Sequence, residues 1–193
     1  MSALIDRIGP FNPTITRNPF TALVGSIIHQ QISMRAATSI QSKLRAVCAG
    51  GRIRPQTLLA LDVRRLRGAG LSRQKAGYLL AVAKSFDDGV LSASRLRRMS
   101  DAEVIEAATE LPGVGRWTAE MLLMFSLERP DVWPADDLGL RSALRRFLPL
   151  RELPTPRAAR PLGDRWAPFR TYACWYLWRS LENPVLPGIA GAL

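Results

Sequence analysis

Residues 111–117, Leu-Pro-Gly-Val-Gly-Arg-Trp, decide how this chain is interpreted. They lie between a helix predicted to end near Glu110 and another predicted to begin near Arg116. Gly113 and Gly115 let the backbone turn through conformations closed to other residues, and they keep side chains off the outside of the turn. Backbone N–H groups at a bare turn that opens a helix form an anion site that suits a phosphate. The stretch predicts a helical hairpin that holds a nucleic-acid backbone, although a plain connector with a C-cap glycine shares the pattern.

The charge balance favours a polyanionic partner. Lys and Arg total 27 against 16 Asp and Glu, so the formal net charge is +11. That charge is large for 193 residues and unusual for an enzyme of small metabolites. Only Lys43, Lys75 and Lys84 are lysines, so arginine, which makes forked phosphate contacts, dominates. Genomic base composition produces the same bias, and both causes stay open.

The few cysteine and histidine residues exclude several kinds of metal chemistry. Cys48, Cys174 and His29 are the only ones in the chain, so no Cys/His zinc site and no four-cysteine iron–sulfur cluster can form. Neither a secretion signal nor an apolar run of membrane-spanning length is present, and isolated thiols suit a reducing compartment. We therefore expect a monomer in the cytoplasm, associated with the nucleoid and not with a membrane.

Helix caps, without any alternating strand pattern, predict an all-α fold. With 47% apolar residues, the chain can bury a core, and we expect one domain over residues 1–193. Ser100 and Glu103 form a capping box that leads into the hairpin, whose two helices we expect over about residues 101–128. Other helix starts are predicted at Asn18-Pro19, Ser33, Ser72, Arg116, Asp137, Thr155-Pro156 and Pro168.

A second glycine turn, residues 68–72, reads Gly-Ala-Gly-Leu-Ser and resembles the first in outline. It lacks the proline and begins its helix with a serine. We interpret it as a tight helix connection with at most one phosphate contact. The charged residues around it fit a solvated helix face better than a DNA-facing patch: Arg64, Arg65, Arg67, Arg73 and Lys75.

An acidic pair, Asp136-Asp137, stands just before the helical run of residues 138–144. Aspartate at a helix N-cap is ordinary, so a purely structural role is one interpretation. The pair follows Trp117 by about one helix and one loop, which is enough chain to return to the mouth of the hairpin. A carboxylate here can therefore stand over a nucleotide whose phosphate the hairpin holds.

Ordered blocks of residues carry a family resemblance that extends over about residues 18–182. They read Ser-Ile-Ile-His-Gln-Gln-Ile-Ser (26–33), Leu-Pro-Gly-Val-Gly-Arg-Trp-Thr-Ala-Glu (111–120), Trp-Pro-Ala-Asp-Asp-Leu-Gly-Leu-Arg (133–141) and Arg-Trp-Ala-Pro-Phe-Arg-Thr-Tyr (165–172). Together they resemble the helix–hairpin–helix (HhH-GPD) DNA glycosylases, and within these the 3-methyladenine DNA glycosylase II group. The resemblance implies a two-lobed helical fold with a DNA-binding cleft between the lobes. The additional N-terminal α/β domain of some bacterial members is not expected.

The resemblance also implies roles for particular residues in the reaction. Asp137 resembles the catalytic aspartate, while Asp136 is expected to serve structure or to cap the helix. Trp117 and Trp178 fall on the walls of the base pocket. The pocket is expected to be less aromatic than in related enzymes, because two of its positions hold Met121 and Leu138.

The contacts to DNA follow from the same resemblance. Gln31 falls where the family places the side chain that wedges into the duplex, with Gln30 and Ser33 beside it. The phosphate-binding hairpin corresponds to Gly113, Val114 and Gly115. Backbone carbonyls are expected to help hold a monovalent cation, Na⁺ or K⁺, that bridges to DNA, and no other cofactor is required. These carbonyls belong to Thr109, Leu111 and Val114.

The activity implied is monofunctional hydrolysis of the glycosidic bond of alkylated purines, such as 3-methyladenine and 7-methylguanine, in double-stranded DNA. Such bases are cationic and attract an indole face, and a carboxylate stabilises the positive charge that develops on the sugar. In the lyase branch of the superfamily, a lysine takes the place of Trp117, and no lysine lies near the hairpin in sequence. The alternatives are a glycosylase for oxidised, deaminated or mismatched bases and a non-catalytic helix–hairpin–helix DNA-binding module.

Overall fold

A computed structural model describes residues 1–148 and 150–182, which fold entirely into helices and loops. The α-helices are α1 (Ser2–Ile8), α2 (Pro19–His29), α3 (Met34–Val47), α4 (Pro55–Leu59), α5 (Val63–Gly68), α6 (Arg73–Asp87), α7 (Ala93–Arg98), α8 (Asp101–Thr109), α9 (Arg116–Phe125), α10 (Leu138–Phe147), α11 (Pro156–Leu162) and α12 (Arg170–Glu182). Short 3-10 helices span Ala49–Gly51 and Asp164–Trp166. The all-α prediction is confirmed.

Side-chain caps begin half of these α-helices at the predicted residues. Asn18 accepts the Thr21 N–H at the start of α2, and Pro19 occupies the first turn. The capping box of α8 is complete, because the Ser100 N–H donates to Glu103 (2.7 Å) and the Glu103 N–H donates to Ser100 (3.3 Å). Each cap satisfies a backbone donor that the helix itself leaves without a partner.

Two predicted boundaries differ from the structure. Helix α9 ends at Phe125 and not near residue 128, since Glu128 has φ +57°, which an α-helix does not contain. Helix α12 begins at Arg170 and not at Pro168. Ala167 is extended, as the residue before a proline prefers, and the Phe169 N–H donates to the Trp166 carbonyl at 2.7 Å, so a turn over residues 166–169 precedes the helix.

The central unit, Ile15–Leu127, contains helices α2 to α9. Helix α2 packs against α3, α6 and α9. Its Ile27 and Ile28 are fully buried, and each such side chain contributes about 1.5–3 kcal/mol by leaving water. This packing holds the end of α2 and the start of α9 to one core.

The terminal unit consists of Met1–Thr14 and of the described residues from Glu128 to Glu182. Helix α12 packs against α1 and α10, and Leu140 and Leu144 of α10 are fully buried. Tyr176 is buried and donates its hydroxyl to the Gly9 carbonyl at 3.0 Å, so it packs in the core of this unit. Trp175 is half-buried, and its ring centroid lies 5.2 Å from that of Phe11.

The described residues contain two free cysteine thiols. Cys48 and Cys174 are both buried, and burial raises the pKa of the Cys48 thiol. Within residues 1–148 and 150–182, no three His, Cys, Asp or Glu side chains are grouped so that they could hold a metal ion. None of the helices described has the length and apolar character needed to cross a bilayer.

Candidate active site

The turn between α8 and α9 requires glycine at position 113 for two reasons. Gly113 has φ +82°, in the left-handed region that side-chain-bearing residues rarely adopt. A Cβ atom there would lie 2.1 Å from Cδ2 of Tyr78. The buried Val114 follows, and its N–H donates to the Leu111 carbonyl at 3.1 Å. At this position the prediction that the turn needs glycine is confirmed.

The second glycine of the turn, Gly115, has a different role from the one predicted. Its φ of −90° and ψ of 172° are extended and open to any residue, so the prediction of a conformation closed to other residues is wrong here. Gly115 is the N-cap of α9 and, having no side chain, makes no side-chain cap. A Cβ atom at this position would meet nothing within 4 Å. The glycine therefore leaves the positive end of α9 open on its outer side, where an anion can approach the backbone.

The predicted wedge, Gln31, lies directly after α2 on an exposed segment. Gln31 has φ +57°, which is uncommon for a residue other than glycine. Ser33 caps α3 by accepting the Ala36 N–H at 3.3 Å, so its hydroxyl oxygen has a structural role as well as the predicted DNA contact. The left-handed backbone marks Gln31 as the residue at which the chain reverses between the two helices.

Gln30 and Lys75 make contacts that sequence analysis did not anticipate. The Gln30 amide donates to the Gly113 carbonyl at 2.8 Å. This side chain therefore joins the wedge segment, which is the stretch of residues 30–33 between α2 and α3, to the glycine turn. The prediction that Lys75 lies on a solvated helix face is wrong. Its Nζ donates to the Ile28 carbonyl (2.8 Å) and to the Gln30 carbonyl (2.6 Å), and burial lowers the pKa of its ammonium group. Both contacts join residues far apart in sequence, so no local pattern indicated them.

A cavity of about 710 Å³ lies within the central unit. Trp117 and Met121, the two predicted pocket residues of α9, both line it, and Trp117 is 45% exposed. His29 also lines the cavity, and its Nδ1 lies 2.8 Å from the Gly25 carbonyl. The cavity brings an indole face and an imidazole to one space that is large enough for a purine.

The predicted catalytic carboxylate, Asp137, belongs to the terminal unit and is the N-cap of α10. Its Oδ1 accepts the Leu140 N–H and the indole N–H of Trp178, the latter at 2.8 Å. Gly139 makes room for this arrangement, because a Cβ atom there would lie 3.1 Å from that oxygen and 3.3 Å from the Trp178 ring. Two donors on one oxygen fix the orientation of a half-buried carboxylate.

The structure also shows the contacts of the residues predicted to act beside Asp137. The expectation that Asp136 caps the helix is wrong, because Asp137 makes the cap while Asp136 is exposed and lies 4.0 Å from Arg160. The indole N–H of Trp178 donates to Asp137, and the place of Trp178 in the wall of the base pocket stays a prediction. Leu138 is 59% exposed.

The loop that carries Asp137 is tied to the start of α12 by a set of polar contacts. Asp131 accepts two hydrogen bonds from the Arg170 guanidinium, at 2.7 and 2.8 Å. This forked contact lowers the pKa of the Asp131 carboxyl. Thr171 accepts the Val132 N–H and donates to the Arg129 carbonyl, at 3.0 and 2.7 Å. The loop and Trp178 are therefore positioned by the same helix.

The predicted cation ligands lie in and before the glycine turn. The Leu111 carbonyl accepts the Val114 N–H and keeps a second lone pair. The Thr109 hydroxyl donates to the Ile105 carbonyl at 2.8 Å, so it bonds back into α8. Carbonyl oxygens are the ligand type that hard monovalent cations prefer. The donor set fits such an ion, and the cation stays a prediction.

The predicted site residues are thus divided between the two units. The central unit carries the glycine turn, the wedge segment, Trp117 and Met121, while the terminal unit carries Asp137, Leu138 and Trp178. The central unit thus offers an uncapped helix end and a cavity lined by an indole, and the terminal unit carries an oriented carboxylate.

Comparison with known proteins identifies the family. Residues 24–168 match the family model of the HhH-GPD superfamily base excision DNA repair proteins. The chain therefore belongs to the HhH-GPD superfamily, which confirms the resemblance seen in the sequence.

Particular relatives are DNA-3-methyladenine glycosylases. The DNA-3-methyladenine glycosylase 1 of Schizosaccharomyces pombe is 34% identical over 194 residues, covering 95% of this chain and 85% of that protein. The structure of the S. pombe 3-methyladenine DNA glycosylase in complex with abasic DNA has a TM-score of 0.84 at 33% identity, covering 94% of this chain and 90% of that one. A DNA-3-methyladenine glycosidase from Bacillus halodurans has a TM-score of 0.85 at 34% identity, covering 94% and 84%.

Proposed function

We propose that this protein is a monofunctional DNA N-glycosylase that excises alkylated, cationic purines, such as 3-methyladenine and 7-methylguanine, from double-stranded DNA. It acts as a monomer and begins base excision repair. The proposal rests on membership of the HhH-GPD superfamily and on relatives that are named as 3-methyladenine glycosylases.

The observation that carries the proposal is the orientation of the Asp137 carboxylate. A carboxylate that only capped a helix would need the Leu140 N–H alone, yet Trp178 adds a second donor to the same oxygen. Both donors hold the negative charge in place before any substrate binds. Breaking the glycosidic bond builds positive charge on the sugar, which a preorganised carboxylate stabilises. The same group can orient the attacking water.

Binding of DNA is assigned to the central unit. A phosphate is bound by the open helix end at Gly115, with the dipole of α9 behind it. Thr109, Leu111 and Val114 would hold a monovalent cation that adds positive charge beside the same phosphate. Since a base inside a duplex must rotate out before it is cleaved, Gln31 fills the gap that it leaves.

The indole and thioether that line the cavity suit a cationic base. A positively charged ring attracts the face of Trp117 with about 0.5–2 kcal/mol, depending on how far the contact is desolvated. Met121 supplies a flexible and polarisable wall, which tolerates ring systems of different shape. A charged base is already a good leaving group, so one aspartate suffices for the chemistry.

We prefer hydrolysis to strand cleavage because no lysine among the described residues is placed to act as the amine nucleophile of a lyase. A lyase needs an amine nucleophile, and Trp117 stands where the lyase branch has its lysine. Lys75 lines the same pocket as Gly113, and its ammonium group donates to two backbone carbonyls. An ammonium group in that role is not a nucleophile.

The test is release of free base from duplex DNA that carries methylated purines. Free 3-methyladenine and 7-methylguanine should appear by chromatography, while the DNA strand stays intact until alkali is added. Borohydride should trap no covalent complex. Release of deaminated or oxidised bases alone would overturn the substrate assignment, a trapped adduct would overturn the monofunctional mechanism, and binding without any release would support a non-catalytic module.

A further inference from the structure

Lys75, on helix α6, reaches across the central unit to the end of helix α2. It donates to the carbonyls of Ile28 and Gln30, at 2.8 and 2.6 Å. These carbonyls lie at the C-terminal end of α2, which carries the negative end of the helix dipole. A cation there satisfies acceptors that the helix leaves without intrahelical partners.

The backbone directly after these carbonyls is unfavourable on its own. Gln30 leaves the helix with ψ 127°, and Gln31 then has φ +57°. A left-handed conformation is strained for a residue other than glycine, because its Cβ atom crowds the backbone. Such a conformation persists only where the surrounding structure stabilises it. Lys75 donates a hydrogen bond to the carbonyl of Gln30, the residue immediately before Gln31.

A second contact joins Gln30 to the glycine turn between α8 and α9. The Gln30 side chain donates to the carbonyl of Gly113 at 2.8 Å. Gly113 has a left-handed φ, and the ring of Tyr78 packs so closely against it that no side chain would fit at this position. Gln30 is therefore bonded to α6 through its backbone carbonyl and to the glycine turn through its side chain.

We propose that Lys75 and Gln30 are positioning residues, which hold the wedge residue Gln31 at a fixed place relative to the phosphate-binding glycine turn. Binding of the DNA backbone by the turn and opening of the base stack by Gln31 then occur together. The inference rests on the proposed function, because it concerns the efficiency of base flipping. Lys75 does not itself touch the damaged base. Its effect on excision passes through Gln31.

A different role for Lys75 would be a direct contact with a DNA phosphate. An ammonium group has three donors, and two are engaged. As a phosphate contact, Lys75 would contribute equally to every duplex and would raise the salt dependence of binding. As a positioning residue, it matters most where the base stack resists opening. The two roles therefore predict different patterns.

The experiment compares Lys75→Met, Gln31→Ala and the double variant in single-turnover excision. Each enzyme is assayed on a damaged base that is correctly paired and on the same base in a mismatch. The ratio of the two rates is the readout, because loss of folded protein lowers both rates equally. Lys84→Met is the matched control, since Lys84 is an exposed lysine on the same helix, paired with Asp88 at 2.9 Å.

The paired-to-mismatched ratio should fall about tenfold in Gln31→Ala and by a similar factor in Lys75→Met, because a paired base is harder to open than a mismatched one. The double variant should fall no further than the lower single variant, since both changes remove the same function. Lys84→Met should keep the ratio of the unchanged protein, and Lys75→Arg should recover part of it. An unchanged ratio in Lys75→Met, or multiplicative losses in the double variant, would overturn the proposal.

A second readout does not depend on catalysis. Fluorescence of 2-aminopurine placed beside an abasic analogue should rise when the unchanged protein binds and inserts its wedge, and this rise should be lost in Lys75→Met at saturating protein. If the unchanged protein releases no base but gives the rise, the proposed function fails while the positioning role stands. A full rise in Lys75→Met would refute the positioning role whatever the activity.

Discussion

The central unit contains two glycine turns with nearly the same backbone plan. In the α5–α6 turn, Gly70 has φ +103° and is followed by the buried Leu71. In the α8–α9 turn, Gly113 has φ +82° and is followed by the buried Val114. In both, a left-handed glycine reverses the chain, an apolar residue anchors it, and one further residue starts the next helix.

The turns differ at that last residue. Ser72 caps α6 by accepting the Lys75 N–H at 3.1 Å, so the protein itself satisfies this helix end. Gly115 offers α9 no side-chain cap. The cost is a slightly less stable helix, because serine is the better cap by a few tenths of a kcal/mol. The protein itself thus caps one helix end, whereas the other has no side-chain cap, as the proposed phosphate contact requires.

The largest expected effect comes from adding a methyl group at the left-handed glycines. Gly113→Ala should lower the free energy of unfolding by about 3 kcal/mol, because strain at φ +82° adds to overlap with Tyr78. Gly70→Ala meets only Ile40, at 3.0 Å, and should cost about 1–2 kcal/mol. Urea denaturation measures both. Equal losses would show that the ring of Tyr78 yields and that the two turns are equally tolerant.

A smaller effect is expected from exchanging the caps. Gly115→Ser should leave stability equal or slightly higher but weaken binding to every duplex about tenfold, because the new hydroxyl oxygen competes with the phosphate for the helix end. The slope of log affinity against log salt should shrink by about 0.9, the loss of one phosphate contact. Fluorescence anisotropy at several salt concentrations measures both quantities.

Ser72→Gly is the reciprocal change and its control. It should lower the free energy of unfolding by only a few tenths of a kcal/mol and leave DNA affinity unchanged. If Ser72→Gly tightened DNA binding, or if Gly115→Ser left it intact, the difference between the two turns would not be the cap. The phosphate would then have to be bound elsewhere.

Local signals were enough to predict most helix starts and the place of the turns. The caps at Asn18, Ser100 and Thr155 follow from short-range hydrogen bonds that the sequence displays directly. The role of Gly115 was misjudged because glycine signals two different things, a left-handed backbone or a missing side chain, and only coordinates distinguish them.

Contacts between distant residues were beyond sequence reasoning. Lys75 looked like one more cation beside a run of arginines, yet its partners lie on α2, and nothing nearby in sequence indicates them. The Trp178 to Asp137 bond likewise joins two helices of the terminal unit. Of the adjacent aspartates, the cap belongs to Asp137, because the helix begins one residue later than an Asp136 cap would require.

The most direct test of the central claim, that Asp137 supplies a fixed negative charge to the reaction, is single-turnover excision by Asp137→Asn with Asp136→Asn as its neighbour control. Asparagine keeps the oxygen that accepts the Leu140 and Trp178 N–H groups, so the fold and the cap should survive while the charge is lost. Excision should fall at least about tenfold, with binding of intact duplex unchanged or tighter, because a carboxylate repels phosphates in the ground state. Asp136→Asn should excise nearly normally. Full activity in Asp137→Asn, or an equal loss in both variants, would contradict the account.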